Sequence, residues 1–224
     1  MSKAFTLTSG IDLRYYKGFH YDKIYNLIGG DYILDYSDKN ENPFLIKNYA
    51  RYSGDKIVRN FDATVKWGGL FLQGEYKKDK LSAFITLNGG YTGFKRVDYF
   101  KKKDIVLADT ILYTAVGYAD SVLYNGTYYY NNSDEARYAS RGFKWFPNYT
   151  FKGGANYNLN DHHNVFVNLG YMSVAPKLNN IYDANNREYK DVKNQEIESF
   201  EIGYGLKQPS FYANVNVYYT LWKK

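Results

Sequence analysis

Two segments of the sequence carry residue types that bind metals or move protons. His162-His163 supplies two imidazoles, and Glu196, Glu198 and Glu201 supply three carboxylates within one short stretch. A metal centre needs three or four converging ligands. Adjacent residues of a strand or turn point apart, and no third ligand stands near the two histidines, so the pair reads as part of a turn. Two carboxylates across a cleft are the requirement for glycoside hydrolysis. Glu201, however, falls on the polar face of an alternating segment, where a charge is expected. The sequence has no Cys, which excludes thiolate metal sites and disulfides. It has no G-x-S-x-G, no P-loop and no G-x-G-x-x-G in a strand-helix context. The reading is therefore of a chain that is not an enzyme, with no catalytic residue, no metal ligand and no cofactor. What remains is aromatic. Tyr113, Tyr118, Tyr124, Tyr128, Tyr129, Tyr130 and Trp145 crowd one long connecting stretch and its edge. They are candidates to stack on a sugar, a peptide or a chelate. Packing of loop against loop, or an aromatic girdle, is the competing reading.

The elements that would position these residues show period-two alternation. Phe5, Leu7, Ser9, Ile11, Leu13 and Tyr15 alternate with Thr6, Thr8, Gly10, Asp12, Arg14 and Tyr16. Successive side chains of a strand point to opposite faces, so one face is apolar and the other polar. The same pattern recurs over 81–94, 149–159, 165–173, 200–207 and 211–221. Residues 58–76 alternate too, with a phase slip at Gly68-Gly69 that reads as a bulge. That predicts seven long strands. A short helix is expected over His20–Ile28, where Ile24, Leu27 and Ile28 share one side and Gly29-Gly30 supplies a stop.

The connections alternate in length. Those near Lys78-Asp79-Lys80, 160–163 and Gln208-Pro209 are tight, whereas 17–57, 96–142 and 175–195 are long. Compact soluble domains seldom hold such long loops without a function for them. Outer-membrane barrels sort their connections this way, with short periplasmic turns and long external loops. The strands also match the 9 to 11 residues or so that a spanning strand needs. The predicted fold is thus all-β: an antiparallel transmembrane β-barrel segment of about seven strands. Seven is too few to close a single-chain barrel, so strands are expected beyond both ends.

Composition fits a membrane barrel and a Tyr-rich soluble β-sandwich equally well. Aromatics make up 20% of the chain and 27 residues are Tyr, a side chain suited to half-apolar, half-wet surfaces. The net charge of +6 is spread and mixed with acids, and only Lys101-Lys102-Lys103 forms a run, in a loop. No nucleic-acid partner is expected. No run of apolar residues is long enough for a membrane helix. The opening Met1-Ser2-Lys3-Ala4-Phe5 lacks a signal-peptide core, so the barrel reading requires the chain to be a fragment.

The last third is more specific. It reads GYMSVAPKLNNIY over 170–182 and NQEIESFEIGYGLKQPSFYANVNVYYTLW over 194–222. This resembles the barrel domain of TonB-dependent receptors, with Ala175, Pro176, Glu196, Ser199, Glu201, Gly203, Tyr218, Tyr219 and Trp222 at matching places. The opening SGIDLRYYKGFHYDKIYNLIGGDYILD, 9–35, is similar to such receptors from Bacteroidetes-type bacteria. The resemblance implies that 1–224 is part of a barrel of some 22 strands, without its plug domain or TonB box. It further implies residence in the bacterial outer membrane among its lipid, and uptake of a scarce extracellular nutrient: a metal chelate, vitamin, peptide or glycan. The TonB complex would act through the missing plug. A soluble Tyr-rich β-sandwich that binds glycan, and a small outer-membrane enzyme or adhesin, are the alternatives.

Overall fold

A computed structural model of the chain describes residues 4–223. Seven long strands dominate it: β1 (Phe5–Lys23), β2 (Lys56–Lys78), β3 (Leu81–Asp98), β4 (Lys144–Asn158), β5 (His163–Val174), β6 (Gln195–Gln208) and β7 (Phe211–Lys223). Each pairs antiparallel with the next, giving one meander in sequence order. The strand Ala139–Ser140 continues the β4 side of β3 beyond the end of β4. Among the described residues, the outer edges of β1 and β7 pair with nothing, and the sheet is not closed.

Three tight turns lie at one end. Asp79, in the left-handed region at φ 51°, closes β2 onto β3. The Asn160 side-chain carbonyl accepts the N–H groups of His162 at 2.9 Å and His163 at 3.0 Å, fixing the β4–β5 turn. Pro209-Ser210 joins β6 to β7. At the other end lie loop 1 (24–55), loop 2 (99–143) and loop 3 (175–194). The sorting of connections by length therefore stands as the sequence indicates.

Register carries the alternation across the whole sheet. Ile11 opposes Leu70, and Leu72 opposes Leu87. Leu87 opposes Phe151, Leu169 opposes Phe200, and Ile202 opposes Val217. One face is thus a continuous apolar band, and no protein covers it: Ile11 is 71% exposed and Leu13 76%. Aromatic rings bracket the band, with Phe5, Tyr76, Tyr157 and Tyr204 toward the turns and Tyr15, Tyr91 and Tyr149 toward the loops. The other face carries Gln73, Glu75, Thr86, Asn88, Lys152, Asn156, Asn168 and Glu201. On it, aromatic rings lie flat on cross-strand glycines. A Cβ on Gly203 would stand 2.2 Å from the Phe166 ring, and one on Gly154 2.7 Å from Phe84.

Two local expectations fail. No helix forms over His20–Ile28. His20–Lys23 prolong β1, and the chain then turns at Ile28 (φ 50°) and Gly29 (φ 84°). The β2 ladder offers a hydrogen bond per residue already fixed, whereas an isolated helical turn must first nucleate. A short helix of loop 1 spans Ile46–Tyr49 instead.

Nor is there a bulge at Gly68-Gly69. Register runs unbroken from Phe5↔Tyr76 to Tyr21↔Asn60 and shifts only at Tyr21/Asp22. Gly69 opposes Gly90 across the ladder to β3, and the two backbones approach closely there. A Cβ on Gly90 would lie 2.4 Å from the Gly68 carbonyl oxygen. The phase slip has a different cause. On the turn side of the glycines, Leu70, Leu72 and Tyr76 of β2 point to the uncovered face, and Phe71 alone among its large apolar residues lies on the other, over Gly10. On the loop side, Phe61, Ala63, Val65 and Trp67 point to the opposite face, where loop 3 packs against Val65.

Candidate functional site

The loop end is where side chains converge. Loop 3 folds back onto the polar face of β3 and β4. Ile181 and Tyr182 bury against Phe94 and Phe146, flanked by Val65 and Leu178. The Tyr182 hydroxyl donates to the Phe94 carbonyl at 3.1 Å, and Arg96 Nη1 donates to the Asp183 carbonyl at 3.1 Å. Burial first, then the charge of Glu188, pushes the Tyr182 phenol up to about 12. Asn148 donates to Thr92 Oγ1 at 2.7 Å and accepts the Ala175 N–H at 2.7 Å, tying the start of the loop to β4.

Loop 2 carries its own small core and strands, Lys103–Val106 against Ile111–Val116 and the hairpin Ser121–Tyr124/Thr127–Tyr130. Its centre is a buried ion pair. Asp104 accepts the N–H of Thr114 at 2.6 Å and of Ser140 at 2.8 Å, and pairs with Arg141 Nη1 at 3.2 Å. Asn186 of loop 3 donates to the Ala139 carbonyl at 2.9 Å, linking the two loops. At the root of loop 2, the Tyr99 hydroxyl donates to Asp62 Oδ2 at 2.8 Å, and Lys17 pairs with the same carboxylate at 2.9 Å.

That contact makes a pH prediction. Partial burial and then the hydrogen bond to Asp62 push the Tyr99 phenol from 10.0 to about 12. The folded form holds the proton more tightly than the unfolded form, so the contribution is complete below 10.0 and is lost as pH rises toward about 12. Melting curves of the protein in micelles should show Tyr99→Phe flattening the alkaline loss of stability across that window. An identical alkaline limb in variant and parent would contradict it.

Loops 1 and 2 meet along backbone contacts. Lys39 N–H donates to the Phe100 carbonyl at 2.9 Å, and Tyr118 N–H to the Lys39 carbonyl at 2.8 Å. Asn40 Nδ2 donates to the carbonyls of Tyr99 at 3.1 Å and Lys101 at 2.8 Å. Between them lies a cleft of about 260 Å³, with Asp38, Glu41, Asn48, Tyr49, Tyr118 and Asp120 in its wall. The Tyr36 and Tyr49 rings stack at 4.7 Å. A hydrogen bond from Lys102, at 2.7 Å in the ion pair, holds the Asp120 carboxyl below its usual range. Burial pushes the Asp38 carboxyl up.

The aromatic residues singled out from sequence are dispersed. Tyr118 lies in the loop 1–loop 2 cleft. Tyr113 lies under the Arg141 guanidinium, 4.1 Å from its ring centre. Tyr124, Tyr128, Tyr129 and Tyr130 share one hairpin, where consecutive rings alternate faces, and the Tyr124 hydroxyl donates to Asp109 at 2.9 Å. Trp145 opposes Gly93 on the apolar side and stacks on Phe143 at 5.7 Å. Tyr36, Tyr49, Asp38 and Glu41 were not among the sequence candidates. Their one signal is the density of Asp, Asn and Glu over 35–42.

The other candidates stay apart. His162 Nδ1 contacts the Lys207 carbonyl at 2.9 Å, and His163 bonds the Tyr204 hydroxyl. Among the described residues no cluster of three metal-ligating side chains exists. Glu198 pairs with Lys223 on one face, while Glu201 on the other accepts from Asn168 at 3.0 Å and from Asn216. Glu201 is on the opposite side of the strand from Glu196 and Glu198 and cannot flank one bond with either. Nearer the turns, the polar face holds an open groove of about 640 Å³ lined by Glu75, Phe84, Thr86, Asn156 and Asn168.

No curated protein matches the chain. A family profile described as TonB dependent receptor-like, beta-barrel, matches residues 2–223. The match spans the whole meander, in agreement with its apolar outer band, its polar inner face and its sorted loops. The chain belongs to the TonB-dependent receptor family and represents part of its β-barrel, a fold of bacterial outer-membrane receptors and transporters.

Proposed function

We propose that these seven strands are one sector of a larger outer-membrane barrel that imports a scarce nutrient, with loops 1 to 3 forming the outer vestibule. The observation that carries this reading is the two-faced sheet. A band uncovered by protein along seven strands matches a lipid boundary, and the polar face opposite it matches a water-filled interior. The rest of the barrel and a plug domain, through which the TonB complex would pull, complete the receptor. The nutrient is a metal chelate, vitamin, peptide or glycan. Deletion of the gene in its host should abolish uptake of one such nutrient while leaving growth in rich medium unchanged. That uptake should also stop when the proton gradient is collapsed. Normal uptake of every candidate nutrient by the deletion strain would overturn the reading.

The lipid boundary has its own test. Ile202→Arg places a cation on the apolar band, at a cost of about 2 to 4 kcal/mol if the site lies near the bilayer midplane. Asn216→Arg, one row away on the polar face beside Glu201, should change stability far less. Urea titration of the folded receptor in lipid vesicles compares the two. Equal losses would argue against a lipid-facing Ile202.

A further inference from the structure

We infer that the cleft between loops 1 and 2 is a binding site for a single neutral, polyhydroxylated ring such as a hexopyranose. This rests on the receptor reading above and narrows it to one site and one ligand class.

The size sets the first limit. At about 260 Å³ the cleft falls just below the volumes of about 300 Å³ and upward that hold drug-sized ligands, so it suits one ring rather than a large chelate. The wall sets the second. Asp35, Asp38, Glu41 and Asp120 face only Lys39 and Lys102 across it, with Arg51 engaged by Glu41 at 3.0 Å. Excess negative charge disfavours phosphates, carboxylates and other anions. A metal ion is not favoured either, because no three ligating side chains converge among the described residues.

Hydrogen-bonding capacity sets the third limit. Asp35 is consumed internally, accepting from Ser37 and from the Val58 N–H. Asp38 accepts the Asn40 N–H through Oδ1, Glu41 accepts Arg51 through Oε2, and Asp120 accepts Lys102 and the Gly117 N–H through Oδ2. Asn48 spends its Nδ2 on the Asn42 carbonyl at 3.1 Å. Among the described residues the second oxygens of Asp38, Glu41 and Asp120, and the Asn48 Oδ1, carry no bond. The cleft therefore offers several acceptors beside the donor-acceptor hydroxyls of Tyr36, Tyr49 and Tyr118, the complement of a ligand whose O–H groups both donate and accept. Exposed Tyr118, with the stacked Tyr36 and Tyr49, adds aromatic faces for the C–H side of such a ring.

One hydroxyl-rich chemistry has two sources at this surface: a dissolved saccharide, or the sugar headgroup of a glycolipid in the outer leaflet. The test uses the full-length receptor in detergent and saturation-transfer NMR with methyl glucoside, methyl galactoside and methyl mannoside. Glucuronate and glucosamine serve as the anionic and cationic comparisons. At least one neutral glycoside should show transfer, stronger than glucuronate or glucosamine. Asp38→Asn and Tyr118→Ala should each weaken it roughly tenfold, while Tyr25→Ala, at an exposed ring outside the cleft, leaves it unchanged. Repeating the titration in nanodiscs with and without lipopolysaccharide separates the sources. Competition by the glycolipid assigns the headgroup, and its absence assigns the dissolved sugar; both support a sugar cleft. No transfer from any glycoside, transfer indifferent to both cleft variants, or a preference for glucosamine overturns the inference. Gel-shift folding of each variant in detergent guards against misfolding. Nutrient uptake that persists without glycoside binding would leave the receptor reading standing and remove only this site.

Discussion

Refolded from denaturant into plain buffer, the 224-residue chain is expected to aggregate, and to gain β-type circular dichroism only when micelles are present. The cause is the band formed by Ile11, Leu13, Leu70, Val215 and Val217, each more than 60% exposed in the folded sheet. In water such a surface is far larger than the apolar patches that monomeric proteins tolerate. Two strand edges, on β1 and β7, add unpaired backbone groups that template association. Micelles cover the band but leave the edges, so a heat-dependent gel shift should be weaker than for the complete receptor. A monodisperse monomer that melts cooperatively without detergent would contradict the membrane assignment and favour a soluble sandwich.

Removing the Asp104 carboxylate is expected to have the largest effect of any single loop substitution. Asp104 and Arg141 have side chains only 2% and 6% exposed, and the carboxylate also accepts two backbone N–H groups. Breaking a buried pair from one side costs about 3 to 5 kcal/mol, because the remaining charge stays buried and unpaired. Asp104→Ala in the full-length receptor should therefore open loop 2 while the strands persist. Limited proteolysis should cut within 99–143, and amide exchange should accelerate there but not in β4 to β7. The double variant Asp104→Asn, Arg141→Met should recover most of the protection, since no charge is stranded. Unchanged protease resistance in Asp104→Ala would show that the pair does not hold the loop.

The strands and their order were legible in the sequence because membrane-spanning strands obey two local rules. Side chains alternate with period two, and short turns need particular residues such as Asp79, Asn160 and Pro209. Both rules act over a few residues, so Phe5 to Tyr15 and Phe211 to Leu221 announce their faces without knowledge of any partner. The family resemblance of 170–222 rests on the same strands. The loops obey no such rule. Loop 1 places Tyr36 and Tyr49 beside Tyr118, far away in sequence, through contacts such as Lys39 to Phe100 that no local pattern encodes. The aromatic crowding that drew attention to loop 2 is spread over a hairpin, a cation contact, the loop 1–loop 2 cleft and the apolar side of β4.

Alternation by itself determined which residues of each strand share a face, and the spacing of turns determined which strands are neighbours. Only the tertiary structure decided what each face meets. In β2 the apolar side chains change faces at Gly68-Gly69, which local reading takes for a bulge, although the ladder is continuous. The reason lies outside the strand. On the turn side of the glycines the inner face is polar apart from rings such as Phe71 laid over glycines, and the uncovered band lies outside. On the loop side, loop 3 brings Ile181 and Tyr182 onto the inner face, so Val65 and its neighbours turn their apolar groups inward.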